Sequence, residues 1–330
     1  MATKTNKRNP KKATTRKRPA VRAKKTARGS TKKKPVSKIT KKVIKKKIPE
    51  KEVSKATEKV VKEKMPLKED IILSIVIPAY KEEKRIGNTL LSLDKYLSPL
   101  NFPYEILVVI DGSPDNTFQV VEKYQKMIKN LKIINNPENH GKGYVVRQGL
   151  LAAKGIYRLF MDADNSVDIA QIENFSPHFE DPDVGVVIGS RDIKGSNIKR
   201  HQPLLKEVAG DVGNRMIQVV AGLWGIKDTQ CGFKILTAEA AEIICPLMLI
   251  NRWGFDIEML TLAKILGYKI KEVPVVWVND EASTVTLGGY FNTLKELFAI
   301  RLGLWTGKYD IKGAMEKKTT LRLSSGIKND

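Results

Sequence analysis

Ile71-Ile72-Leu73-Ser74-Ile75-Val76-Ile77-Pro78-Ala79-Tyr80 is the stretch whose reading decides the fold. Its apolar run is strand length and stops at Pro78; Ile86, Leu90, Leu93 and Leu97 then recur at helical spacing. The alternation continues outward. Glu105 to Ile110 reads as strand, Thr117 to Ile128 as helix, Leu131 to Ile134 as strand, Gly143 to Ala153 as helix, and Ile156 to Met161 and Val184 to Gly189 as strands. Strands apolar on both faces, joined through helices, predict an α/β fold with a mostly parallel sheet flanked by helices. Such sheets bind ligands outside the carboxyl ends of their strands. Pro78-Ala79-Tyr80, Asp111-Gly112-Ser113 and Asp162-Ala163-Asp164 each follow a strand end, so the three are expected to meet at one crevice.

Further along, residues after Arg200 read as helix, with Val208, Val212, Met216 and Val219-Val220 on one face. Lys269 to Val278 reads as a strand interrupted at Pro274, which points to an edge or a bulge. Tyr290 to Trp305 is helical and rich in apolar residues; core packing is its ordinary reading, a membrane-surface or partner-docking face the sharper one. Residues 69 to 310 are expected to form one domain, followed by a flexible tail over 311 to 330.

The net charge of +23 belongs to one end of the chain. Residues 1 to 68 hold 27 basic and 4 acidic side chains, residues 69 to 330 hold 32 of each. A neutral domain excludes a folded DNA-binding module as the source of the basic character. The first 68 residues lack aromatic side chains and cannot bury enough apolar surface to offset ordering entropy, so a disordered tail is expected. Ile39 to Val61 allows a second reading, a poor amphipathic helix on an anionic surface. Cys231 and Cys245 are too few for a disulfide framework and have no metal-ligand spacing. No run of 18 apolar residues and no secretory signal pattern is present, so membrane association is expected to be peripheral.

Asp162-Ala163-Asp164 is the strongest local chemical signal. In extended chain, residues i and i+2 share a face, so both carboxylates can hold one hard divalent cation, Mg²⁺ or Mn²⁺, against substrate phosphates. A calcium loop fits the acidic spacing but fails at Val167, where the turn needs glycine. Capping of the helix expected after Ser166 is the structural alternative. Asp111-Gly112-Ser113-Pro114-Asp115-Asn116 serves equally as turn and cap or as a ligand loop. Gly141-Lys142-Gly143 with Arg147 offers amides and cations for phosphate, though Val146 breaks the dinucleotide fingerprint. Gly303 to Lys308 misses the P-loop spacing by one residue, and His140, His178 and His201 show no metal spacing.

Taken in order, Ile77-Pro78-Ala79-Tyr80-Lys81-Glu82-Glu83, Asp111-Gly112-Ser113-Pro114-Asp115, Asn139-His140-Gly141-Lys142-Gly143, Asp162-Ala163-Asp164 and Gly189-Ser190-Arg191 resemble the family 2 glycosyltransferases of the Rossmann-like GT-A fold. Asp228-Thr229-Gln230-Cys231-Gly232-Phe233-Lys234, Trp253-Gly254-Phe255-Asp256-Ile257-Glu258 and Glu272-Val273-Pro274-Val275-Val276-Trp277 narrow the resemblance to the dolichyl-phosphate glucosyltransferase and mannose synthase branch, closer to the first.

The resemblance implies inverting transfer of a hexose, glucose before mannose, from UDP-glucose or GDP-mannose to a polyprenyl or dolichyl phosphate. It implies that Pro78, Tyr80, Glu82 and Asp111 hold the nucleotide, that Asp162 and Asp164 hold metal and diphosphate, and that Arg191 contacts phosphate. Lys142, Ala163 and Lys234 join the substrate-binding set, with Asp164 and Arg191 as the catalytic pair. There are two departures. Ile110 stands where the family often has a further Asp, and a lysine-rich tail stands where related eukaryotic enzymes carry a membrane span. The expected location is the cytoplasmic face of a membrane, through its anionic surface or a membrane-anchor protein. Transfer to a polysaccharide is the nearest alternative; a nucleic-acid partner bound by the tail is the remote one, since that tail has no stacking residues.

Overall fold

The computed structural model describes residues 71–198, 213–278 and 287–325. The basic tail, Val208, Val212, His201 and the last five residues lie outside the described residues. Seven strands form one sheet: β1 (Leu73–Ala79), β2 (Tyr104–Asp111), β3 (Leu131–Asn136), β4 (Tyr157–Met161), β5 (Val184–Ser190), β7 (Phe233–Thr237) and β8 (Lys269–Pro274). They lie in the order β3-β2-β1-β4-β7-β5-β8. A separate two-stranded ribbon pairs β6 (Asn197–Ile198) with β9 (Val276–Trp277).

All seven β1 residues are buried, and the two-residue period sends them to opposite sides. Ile75 and Ile77 pack with Ile86, Leu90 and Leu93 of α1 (Ile86–Leu97) and with α2 (Thr117–Gln125). Val76 packs instead with Val146 and Leu150 of α3 (Lys142–Ala152), and with α4 (Ala238–Ile244) and α5 (Phe255–Ile265). This is the two-layered core that the apolar strands predicted.

β1 continues through Pro78 to Ala79, past the stop expected at the proline. The reason is asymmetric pairing. β1 stays in register with β2 as far as Ala79↔Ile110, whereas its pairing with β4 stops at Val76↔Phe160. Pro78 has no N–H to give, and on the β4 side none is taken. The strands therefore part at their carboxyl ends where the order reverses, which is where the crevice opens.

Other expectations need correction. β7 enters antiparallel between β4 and β5, a strand that starts at the end of the Asp228–Lys234 motif and runs on to Thr237. The helix expected after Ser166 is two short 3-10 turns, Ile169–Asn174 and Ser176–Glu180. The strand from Lys269 breaks after Pro274: β8 lies at the sheet edge, and β9 leaves to pair with β6. Residues 213–220 are helical, and α6 spans Leu287–Trp305. The tail expected from residue 311 is instead α7 (Ile311–Ser324), held at both ends. Asp310 caps it through Gly313 N–H at 3.0 Å, and buried Arg322 bridges Asp183 at 2.9 Å and Glu239 at 3.0 Å.

Candidate functional site

The crevice lies at the carboxyl ends of β1, β2, β4 and β5. At β4, Asp162 and Asp164 flank buried Ala163, whose carbonyl accepts a 2.5 Å hydrogen bond from Thr89 on α1, tying the acidic turn to the helix layer. Both carboxylates stay partly exposed. Asp164 accepts the Ser166 N–H at 2.9 Å, a bond within the turn; the cap of the Ile169–Asn174 segment is Asp168, which accepts the Ala170 N–H, so the two acids do not serve as its cap. Asp162 faces Lys142, the first residue of α3, with Nζ 2.6 Å from Oδ1. Burial works against charge on Lys142, but Asp162 and Asp256 outweigh it and hold the ammonium above its ordinary pKa. Gly232 opposes the same carboxylate. A Cβ there would stand 2.0 Å from Asp162 Oδ2, so any larger residue would push the carboxylate from this position.

At β1, Tyr80 is exposed with the Lys81 ammonium 5.3 Å from its ring centre. The loop is held from β2's end: Lys81 N–H donates to Ser113 Oγ and Glu82 N–H to Thr117 Oγ1, at 2.8 and 2.9 Å. Glu82 pairs with Arg85 at 2.6 Å. Burial raises the Glu82 pKa against the pull of Arg85, and nearby Asp164 and Asp162 add to the rise.

Arg191, just past β5, is placed by three bonds to Asp228: its backbone N–H, Nε and Nη2 donate at 3.0, 2.7 and 2.9 Å. Its guanidinium also lies 5.4 Å from the Trp277 ring centre. Although burial works to raise it, Arg191 holds the Asp228 carboxyl below the usual carboxylate range. A small pocket beside Asp162 is lined by Ser166, Val167, Gly232 and Trp277.

Two expected substrate ligands have other work. Asp111 is buried, and its carboxylate accepts Asn139 Nδ2, His140 N–H and Gly141 N–H at 2.9, 2.7 and 2.9 Å. It anchors the loop leading to Lys142, with three donors of the protein on its two oxygens. Lys234 is fully buried, donating to Asp256 Oδ1 and the Cys231 carbonyl, each at 2.6 Å. It is a strut of the floor, out of reach of a ligand in the crevice. Pro78 is buried one residue before the end of β1. Asp228, Gly232, Trp253 and Trp277 were not expected as site residues. All four sit in the quoted motifs, which was the available signal.

The sequence profile described as glycosyl transferase family 2 matches residues 74–243, from the start of β1 to the end of α4. The chain belongs to glycosyltransferase family 2. Its relatives include dolichyl-phosphate beta-glucosyltransferases. That of Dictyostelium discoideum is 34% identical over 253 residues, covering 72% of this chain and 77% of the relative. That of Saccharomyces cerevisiae is 34% identical over 264 residues, covering 73% and 77%. Among solved structures, glucosyl-3-phosphoglycerate synthase from Mycobacterium tuberculosis, with Mn²⁺, uridine diphosphate and glucosyl-3-phosphoglycerate, overlays with a TM-score of 0.56. It is 16% identical and covers 76% of this chain and 84% of that one, a likeness of fold.

This family 2 enzyme is therefore a hexosyltransferase on the GT-A fold. Its donor set suits a hard divalent cation that brings phosphate ligands with it. Among the described residues no three His, Cys, Asp or Glu side chains are grouped to hold a metal alone, yet Asp162 and Asp164 supply two carboxylates, and the buried Asn165 Oδ1 beside them has no hydrogen-bond partner.

Proposed function

We propose that this family 2 enzyme moves glucose from UDP-glucose to dolichyl phosphate with inversion at the anomeric carbon, assisted by Mg²⁺ or Mn²⁺ at Asp162 and Asp164. The observation that carries the reading is identity of about one third to dolichyl-phosphate beta-glucosyltransferases across some three quarters of each chain. The crevice chemistry agrees with it. An oxygen of the lipid phosphate forms the bond to the sugar's C1 as the bond from C1 to the diphosphate breaks. That phosphate is already an anion, so no strong general base is required, and no activated nucleophile is found in the crevice. The main terms are in-line positioning and charge on the leaving diphosphate.

A bound metal would supply that charge as a Lewis acid. Asp162 and Asp164 would hold it, while Arg191, pre-oriented by Asp228 and Trp277, presents a guanidinium to phosphate without reorganising. Lys142 adds an ammonium on the α3 side. Tyr80 offers a ring at the rim for the base, and Glu82 lies beside the two acids. Ile110 leaves the β2 end with one carboxylate, and that one serves the protein, so selection of the base falls to other contacts.

Location is part of the proposal: a peripheral enzyme on the cytoplasmic face of a membrane. Among the described residues no helix is long and apolar enough to cross a membrane. Support comes from the 27 cations of the first 68 residues, each worth about 1 kcal/mol near an anionic surface. On α6, Phe298, Leu302 and Trp305 form an exposed stripe at helical spacing, with exposed Lys295 and Arg301 on its two sides. A membrane-anchor protein is the alternative holder.

The test offers UDP-glucose and GDP-mannose separately, with dolichyl phosphate, a soluble glycan acceptor and either metal. Glucosylated lipid from UDP-glucose is expected; lipid-linked sugar from neither donor overturns the proposal. Liposome sedimentation, with and without residues 1 to 68, tests the location. Binding to anionic vesicles that falls with salt and with deletion is expected, and equal binding by both forms refutes the tail's part in it.

A further inference from the structure

We infer that Lys142 is a built-in competitor for the metal at Asp162, so that the divalent cation binds firmly only after a nucleoside diphosphate has drawn the lysine off. The inference rests on the metal-assisted reading above and deepens it.

Lys142 opens α3, where the helix dipole disfavours a cation, so the residue does not serve its own helix. Its ammonium lies 2.6 Å from Asp162 Oδ1 and 5.6 Å from the ring centre of Trp253, which caps it from the side. The second oxygen of Asp162 is packed against Gly232, where even a methyl group would collide. Asp162 thus has one oxygen under a lysine and the other against the backbone entering β7. A divalent cation arriving alone must displace the ammonium or sit beside it, and like charges at such distances repel strongly outside bulk water.

A diphosphate changes the balance. It offers the ammonium new anionic oxygens within reach of a side chain with four methylenes, and it brings ligands of its own to the metal. The first effect frees Asp162 Oδ1 when the donor arrives, and the second strengthens the hold on the metal. Metal and nucleotide then bind with positive coupling, and by linkage the factor is the same in both directions. Loss of Lys142 weakens that coupling by strengthening the binding of metal alone.

The test is Mn²⁺ titration of the full chain, followed by electron paramagnetic resonance of free Mn²⁺, with and without UDP. In Lys142→Met and Lys142→Gln, Mn²⁺ alone is expected to bind at least about ten-fold more tightly than in the unaltered protein, and UDP should enhance it less. Lys142→Arg keeps the charge and is expected to keep the weak binding. Thermal unfolding of each variant verifies its fold. Mn²⁺ affinity without UDP that is equal or weaker in the neutral variants overturns the inference. Absence of Mn²⁺ binding even with UDP removes the metal site itself. Neither sugar nor lipid is present, so failure of glucosyl transfer and failure of the competitor are read separately.

Discussion

Two sets of charged residues lie within a few side chains of each other and behave oppositely. Asp111, Lys234, Asp256 and Glu258 form the floor, buried and engaged by protein groups. Glu258, for example, accepts the Leu249 and Ile250 N–H groups at 2.8 and 2.9 Å and the Tyr309 hydroxyl at 2.7 Å. Asp162, Asp164 and Arg191 form the rim. Each is partly exposed, and each is steered by a protein partner: Lys142 for Asp162, the Ser166 N–H for Asp164 and Asp228 for Arg191. The difference teaches that a motif in this fold mixes two jobs: some of its charges build a rigid support, and others are left with capacity for a ligand.

Breaking the floor should cost stability first. Asp256→Ala strands the Lys234 ammonium in the core and is expected to lower unfolding free energy by about 3–5 kcal/mol. The paired Lys234→Met/Asp256→Leu variant should recover most of that in denaturant titrations. A full loss in the pair as well would show that the two charges contribute more than mutual compensation.

Arg191→Met probes the boundary between the sets. Arg191 depresses the folded-state pKa of Asp228, so the stability this pair contributes is full above the unfolded carboxylate value of about 4 and fades as pH falls through the folded value. The variant should lose about 3 kcal/mol at pH 7, and the gap should narrow below about pH 4. A gap independent of pH would contradict this ion-pair account.

Gly232→Ala sharpens the rim. The added methyl must displace the Asp162 carboxylate, and a misplacement of this size should lower kcat about 100-fold with little change in melting temperature. Unchanged kcat would mean that Asp162 need not sit where it does. The smallest effect is at Tyr309→Phe, which removes one of three donors to Glu258. About 1–2 kcal/mol of stability should go, with kcat unchanged in the folded enzyme.

The same division explains what the sequence made legible. The parallel core could be read because Ile75, Val76 and Ile77 are apolar on both faces, a pattern that water enforces. Convergence of Tyr80, Asp111 and Asp162 followed from strand ends alone. β7 escaped because Phe233–Thr237 begins in the last two residues of a motif rich in chemical residues, and a five-residue strand between two others needs no periodicity of its own. α7 escaped because its anchor, Arg322, finds Asp183 and Glu239 across 139 and 83 residues. Asp111 and Lys234 read as ligands from the motifs that hold them because a charge in a motif looks the same in sequence whether protein or substrate satisfies it. Only the partners distinguish them: three donors converge on Asp111, and an acid and a carbonyl on Lys234.

The central claim is that rim carboxylates at the end of β4 carry transfer to a lipid phosphate. The direct measurement is the rate of radiolabelled glucose transfer from UDP-glucose to dolichyl phosphate by the unaltered enzyme and by Asp164→Ala at matched folded fraction. The account predicts glucosylated lipid from the first, and a loss of about 1,000-fold or more in the second with its unfolding transition preserved. Transfer by Asp164→Ala within a few-fold of the unaltered rate would contradict it.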